Sequence, residues 1–150
     1  MLDWSATALS RAIHERRVAP SEVMAAHLAQ VDLVNGALNA LVSLRDADAI
    51  MAHARALDDV VPAGWLHGIP FAVKDLVATA GLRTTWGSPL WENHVPLADD
   101  LVAARLRRAG AVITAKTKAG RTASLIIPKQ DRPRKFRPRR DAPGTDDAPA

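Results

Sequence analysis

An α/β fold with a sheet covered by helices is predicted by three observations. Four segments carry apolar residues at helical spacing, the short apolar runs between them do not alternate as half-buried strands would, and caps and breakers separate the two kinds. Leu9 and Ile13 lie four apart with Ala12 beside them, which predicts a short amphipathic helix capped by Ser5 and ended before Pro20. Ser21 is the expected N-cap of a second helix, whose apolar positions Met24, Leu28, Val31 and Val34 run to a stop at Asn35-Gly36. Residues 38–44 are short and apolar enough for a strand. Asp46 and Asp48 then open a third helix, because carboxylates favour the positive end of the helix dipole, and its stripe is Ala47, Ile50, Met51, Ala54 and Leu57.

The run Ile69-Pro70-Phe71-Ala72-Val73 reads as a strand buried on both faces, with Pro70 confined to its start or to an edge because it cannot donate to a ladder. Residues 81–96 form a loop broken by Gly87, Pro89 and Pro96. Asp99 or Asp100 caps a fourth helix that reaches Ala109 and ends at Gly110, and Ala111-Val112-Ile113-Thr114-Ala115 is again strand-like.

The chain has 150 residues, 48% of them hydrophobic, enough for one modest domain with its own core. It holds no cysteine, which excludes disulfides, thiolate metal sites and cysteine nucleophiles. No apolar run approaches the ~20 residues that span a bilayer, and residues 1–10 lack a basic leader before an apolar stretch, so a soluble, cytoplasmic protein is expected. The formal charge of +4 is unevenly placed. Residues 1–115 hold 10 Lys/Arg and 12 Asp/Glu, whereas residues 116–150 hold 10 Lys/Arg and 4 Asp. The change falls near residue 118, after which Pro and Arg dominate and the run RPRKFRPRR at 132–140 shows no period. The organisation expected is a folded part over 1–117 and an irregular basic tail over 118–150, with the boundary between residues 117 and 128.

Lys74 follows four apolar residues and precedes Asp75, so it sits where a buried strand would emerge into a loop. Desolvation there lowers a lysine's pKa, and a lysine partly neutral near pH 7 can act as a general base. The plainer reading of a Lys-Asp pair at a strand end is a surface ion pair. The histidines at 14, 27, 53, 67 and 94 lack the spacing of a helical metal site, so neither metal nor cofactor is expected. Trp4, Trp65, Trp86 and Trp91 flank loops, where they line a pocket or, more ordinarily, cover the edge of the core.

The stretch Gly68-Ile69-Pro70-Phe71-Ala72-Val73-Lys74-Asp75-Leu76, continued by Gly81-Leu82-Arg83-Thr84-Thr85-Trp86-Gly87-Ser88, resembles the amidase signature family. The resemblance extends through Pro96, Asp99 and Gly110-Ala111-Val112-Ile113 to Lys116-Thr117, and upstream through Ser21-Glu22-Val23 and Leu38-Asn39-Ala40, over about residues 5–117. After Lys116-Thr117, Lys118 stands where the family continues with an asparagine. The resemblance implies helices around a mixed sheet, hydrolysis of carbon–nitrogen amide bonds in a small-molecule substrate, and a serine nucleophile activated through a second serine on a cis peptide by a lysine. Lys74 matches that lysine. An arginine could not replace it, since it stays charged. The family's serines lie in a Gly/Ser-rich segment tens of residues further on, and no such segment occurs here. Ser124 lacks flanking glycines, and Ser88 matches a position outside the triad. The expectation is therefore an N-terminal amidase fragment, inactive alone, ending in a tail of shifted reading frame or aberrant fusion. Self-association through an exposed sheet edge, at the Val112-Ile113 strand, goes with it. Two alternatives stand beside it. One is a fragment of a transfer-RNA amidotransferase subunit. The other is a non-catalytic module whose tail contacts nucleic acid; this is disfavoured because Phe136 is the tail's only aromatic, which serves base stacking poorly.

Overall fold

The computed structural model describes residues 4–118. The expected boundary, the basic tail and Ser124 lie outside the described residues. In chain order the elements are α1 (Ala6–His14), α2 (Pro20–Leu38), β1 (Leu41–Leu44), α3 (Ala47–Asp58), β2 (Pro70–Lys74), a 3-10 turn (Pro89–Trp91), α4 (Leu101–Arg108) and β3 (Val112–Thr117). The α/β class and the helix-covered sheet are as the sequence predicts.

Three helix starts follow the caps read from sequence. Ser5 accepts from the Ala8 N–H, Asp46 from the Ala49 N–H, and Asp100 from the Leu101 N–H. The start of α2 differs. Ala19, not Ser21, is its N-cap, because Pro20 takes the first helical position, where its missing N–H is no loss. Glu22 reaches back to the Ala19 N–H at 2.8 Å, and Ser21 lies inside the helix with its N–H donated to Asp58 at 2.9 Å. Nor does α2 stop at Asn35-Gly36. The Asn35 side chain accepts from the N–H groups of Ala40 and Leu41 and donates to the Leu41 carbonyl, so it staples the approach to β1 instead of ending the helix. The helix ends a turn later, where Asn39 adopts φ 45°.

The sheet has the order β1-β3-β2, with β3 antiparallel to β1 and parallel to β2. The Val112-Ile113 strand, expected as an exposed contact edge, is therefore the middle strand, hydrogen-bonded on both sides; the outer edges belong to β1 and β2. The expected strand over 69–73 begins at Pro70, whose missing donor suits that outer position. Pairing of β2 with β3 shifts by one residue: Phe71 lies beside Ile113, but Ala72 lies beside Ala115. Thr114 is the extra residue, and beyond it the strand's side chains exchange faces.

Helices α2 and α3 cover one face of the sheet, where Met24, Ile50 and Ala54 pack on Val112, and Val31 and Leu41 on Ala115. On the other face Ala103 and Leu106 of α4, with Leu82, pack on Val73 and Ile113. Helix α1 closes the end of the sheet at which β2 and β3 begin, through Leu9, Ala12 and Ile13 against Ile69 and Ala111. Each fully buried Val, Ile, Leu or Met contributes about 1.5–3 kcal/mol relative to exposure. β2 and β3 start side by side because Gly68 donates its N–H to the Gly110 carbonyl at 3.0 Å. A Cβ on Gly110, at φ +92°, would lie 2.7 Å from the His67 Cα, so only glycine permits that crossing.

Candidate active site

The parallel strands β2 and β3 end together at Lys74 and Thr117, which are paired in register. In open α/β sheets the ground beyond the carboxyl ends of parallel strands is where ligands bind. Lys74 is half-buried there. Its neighbour Val73 packs in the α4 cluster, so alternation directs Lys74 to the opposite face, the one that α2 covers. Among the described residues no ion pair engages Lys74.

Asp75 is not the partner of a surface ion pair. It is 2% exposed, and its carboxylate accepts from the Thr85 N–H at 3.0 Å and from the Thr85 hydroxyl at 2.5 Å. Its own backbone extends the sheet by one bond, the N–H donating to the Thr117 carbonyl and the carbonyl accepting from Trp86. Asp75 thus ties the far loop to the end of β2, leaving Lys74 outside the contact that sequence alone would assign it.

The sequence reading missed Lys116. It lies on β3 beside Val73 and is fully buried. Its Nζ donates to the Val77 carbonyl and, at 2.9 Å, to the Thr79 hydroxyl, while Thr79 donates in turn to Val77 at 3.2 Å. Burial pushes the Lys116 amine down to about 8, against the opposing pull of Asp75 and Asp99. The strand expected over 111–115 runs two residues further, to Thr117, and that extension is what places Lys116 inside the sheet.

Several other polar groups have structural partners. Asp99 accepts from the Ala80 N–H and pairs with Arg107 at 2.8 Å, fastening the same loop to α4. Ser88 caps the 3-10 turn through the Leu90 N–H. Buried His27 lies 3.3 Å from the Thr114 hydroxyl, and desolvation lowers its pKa. His67 donates from Nε2 to the Leu57 carbonyl. Of the four tryptophans, Trp4 packs on the α1 cluster and Trp65 is exposed, whereas Trp86 and Trp91 meet edge to face with His94 stacked on Trp86. Among the described residues no group of three His, Asp or Glu could hold a metal ion, and no helix is long and apolar enough to cross a membrane.

Such a sheet, with a lysine at the end of one parallel strand and a buried lysine and aspartate behind it, is the framework of an α/β protein. Comparison with known proteins specifies the class. The family described as Amidase matches residues 22–126, and the chain belongs to that family. It is 38% identical over 113 residues to a glutamyl-tRNA(Gln) amidotransferase subunit of Oleidesulfovibrio alaskensis, covering 74% of this chain and 23% of that one. It is 34% identical over 123 residues to an acylamidase of Rhodococcus erythropolis, covering 77% and 25%. The peptide amidase of Stenotrophomonas maltophilia superposes with a TM-score of 0.68 at 27% identity, covering 75% of this chain and 24% of that one. The chain thus spans about a quarter of the length of the relatives it matches.

Proposed function

We propose that this chain supplies the lysine-bearing part of an amide-hydrolysing site, with Lys74 as the general base. The reading rests on one observation above others: Lys74 stands at the carboxyl end of a parallel strand while the adjacent carboxylate is occupied by Thr85. Among the described residues no carboxylate pairs with the Lys74 amine, which leaves it available to a hydroxyl. Neutral, it withdraws the nucleophile's proton through an intervening hydroxyl, and the ammonium so formed protonates the departing amine. The nucleophile and the oxyanion donors must come from a Gly/Ser-rich segment, and the serines at 5, 10, 21, 43, 88 and 124 do not form one. Substrates are small amides. Self-association would use the outer edges of β1 or β2.

The test is turnover of a simple aryl amide by the 150-residue chain, alone and joined to the serine-bearing portion of the acylamidase relative. The chain alone gives no turnover above background. The joined protein hydrolyses the amide, and Lys74→Ala lowers its kcat by about a thousandfold or more, since members of such a triad act as a unit. Full activity in the joined Lys74→Ala variant would remove Lys74 from the chemistry. Activity of the chain alone that vanishes in Lys74→Ala would instead point to Ser88 or Ser124. The likeness to amidotransferase subunits favours a second reading, in which amide hydrolysis feeds a transfer to transfer RNA. Activity that appears only with partner subunits would support it.

A further inference from the structure

Lys116 is an expensive residue for its place. A methionine would fill much the same volume on the middle strand, whereas an amine there must be desolvated and its donors satisfied. What the amine reaches is specific. Val77 and Thr79 belong to the turn that leaves β2, and the Val77 N–H donates to the Lys74 carbonyl at 3.0 Å. Val77 is therefore fixed on both sides, its N–H by the backbone of Lys74 and its carbonyl by the Lys116 amine and the Thr79 hydroxyl. The Asp75 N–H bond to Thr117 adds a second link between the same two strand ends. The charged groups set around this point are Asp75, itself held by Thr85, and Asp99, paired with Arg107.

We propose that Lys116 is a positioning residue for Lys74, a buried pin that crosses from β3 beneath the turn after β2 and fixes where the Lys74 backbone sits. It does not exchange protons with Lys74. In register it pairs with Val73, the residue before Lys74, so the two amines leave the sheet on opposite faces. Its effect travels through the turn. A reacting group must be held to a fraction of an ångström, and a three-bond clasp one turn from it meets that need. The proposal rests on the reading of Lys74 as the base, but its two measurements do not use hydrolysis, which enters only to tell failure of the base from failure of the pin.

Two measurements on the 150-residue chain decide it. Hydrogen exchange of the Val77 amide reports the pin, and competitive acetylation of Lys74 with acetic anhydride at fixed pH, followed as a time course, reports what the pin does for Lys74. In Lys116→Met, Val77 exchange accelerates about tenfold as the turn opens locally. Acetylation of Lys74 accelerates several-fold, as the released strand end lets the half-buried amine reach water. Thr79→Val moves Val77 exchange and the Lys74 acetylation rate in part, Thr79→Ser restores both, and Lys118→Met, at an exposed site, changes neither. If Lys116→Met fails to fold, the Thr79→Val and Thr79→Ser pair carries the comparison. Unchanged Val77 exchange in folded variants overturns the pin, and faster exchange with an unchanged Lys74 acetylation rate overturns the positioning role by showing a clasp that serves only the fold. A Lys74 acetylation rate that responds to Lys116, together with hydrolysis that survives Lys74→Ala, would keep the pin and discard the base.

Discussion

The two halves of β3 are equally buried and chemically opposite. Val112 and Ile113 at one end are wholly enclosed by apolar side chains from α2, α3 and α4. Thr114, Lys116 and Thr117 at the other are enclosed just as completely, and there Thr114 and Lys116 meet hydrogen-bond partners. The apolar half owes its stability to shape and area, which many residues of similar volume supply. The polar half is tolerable only while every donor and acceptor keeps its partner, and no buried side-chain N or O among the described residues lacks one. The half that costs more to bury is the half next to Lys74. That distribution separates what holds this fold together from what the strand ends are built to do.

The contrast can be broken most forcefully from the apolar side. Ile113→Ala should lower stability by about 3–5 kcal/mol in urea unfolding, since a close-packed site relaxes little around the cavity. The second test concerns pH. The folded pKa of Lys116, about 8, lies below the unfolded value of about 10.4, so between those limits the unfolded chain binds more protons. Stability should accordingly rise from about pH 8 to about pH 10, by at most about 3 kcal/mol, and below about pH 8 the cost of burying the ammonium is fully present. Lys116→Met should flatten that slope while leaving stability at neutral pH nearly unchanged, because an apolar isostere of a buried charge is often neutral. A slope that survives in Lys116→Met would assign it to other groups. Asp75→Ala should cost about 2 kcal/mol, as it leaves the Thr85 N–H without an acceptor, and proteolysis within residues 81–96 should quicken alongside. The smallest effect, about 1 kcal/mol, belongs to Ile113→Val, and a much larger loss there would mean that the apolar half is less forgiving than its chemistry implies.

The apolar half is also the half that sequence displays. Periodicity located α1, α2, α3 and α4, and the caps Ser5, Asp46 and Asp100 fell where hydroxyl and carboxylate chemistry places them. Local rules failed where a longer-range bond took over. Pro20 displaced Ser21 from the cap, and Asn35 looked like a terminator but clasps Ala40 and Leu41, an interaction five and six residues away that no helix-end rule contains. Strand order was not legible, because nothing in the residues 111–115 states that two other strands flank them. Its place after an apolar run marked Lys74 only as a candidate, with a surface ion pair the plainer reading, and its proposed role came from the family resemblance. The engagement of Asp75 with Thr85, ten residues on, could not be read from a Lys-Asp dipeptide. Lys116 was missed because the strand was expected to end at Ala115, whereas it runs to Thr117 and its amine meets Val77 and Thr79 of a turn about forty residues earlier in the chain.

The one-residue offset at Thr114 has a consequence for how this protein can vary in length. Side chains alternate along a strand, and the bulge absorbs one extra residue so that Ala115 and Lys116 still take the faces set by their partners Ala72 and Val73. With Thr114 in place, Ala115 meets Val31 and Leu41 while Lys116 meets Val77 and Thr79. Removing that residue would set Ala115 directly after Ile113 in a regular ladder against Phe71 and Ala72, so Ala115 and Lys116 would keep their present faces and the loss would be the Thr114 hydroxyl beside His27. Substitutions along β3 can be judged one at a time, and a single deletion between Ile113 and Ala115 is absorbed by loss of the bulge, whereas a residue inserted there must either widen the bulge or turn Lys116 away from Val77 and Thr79.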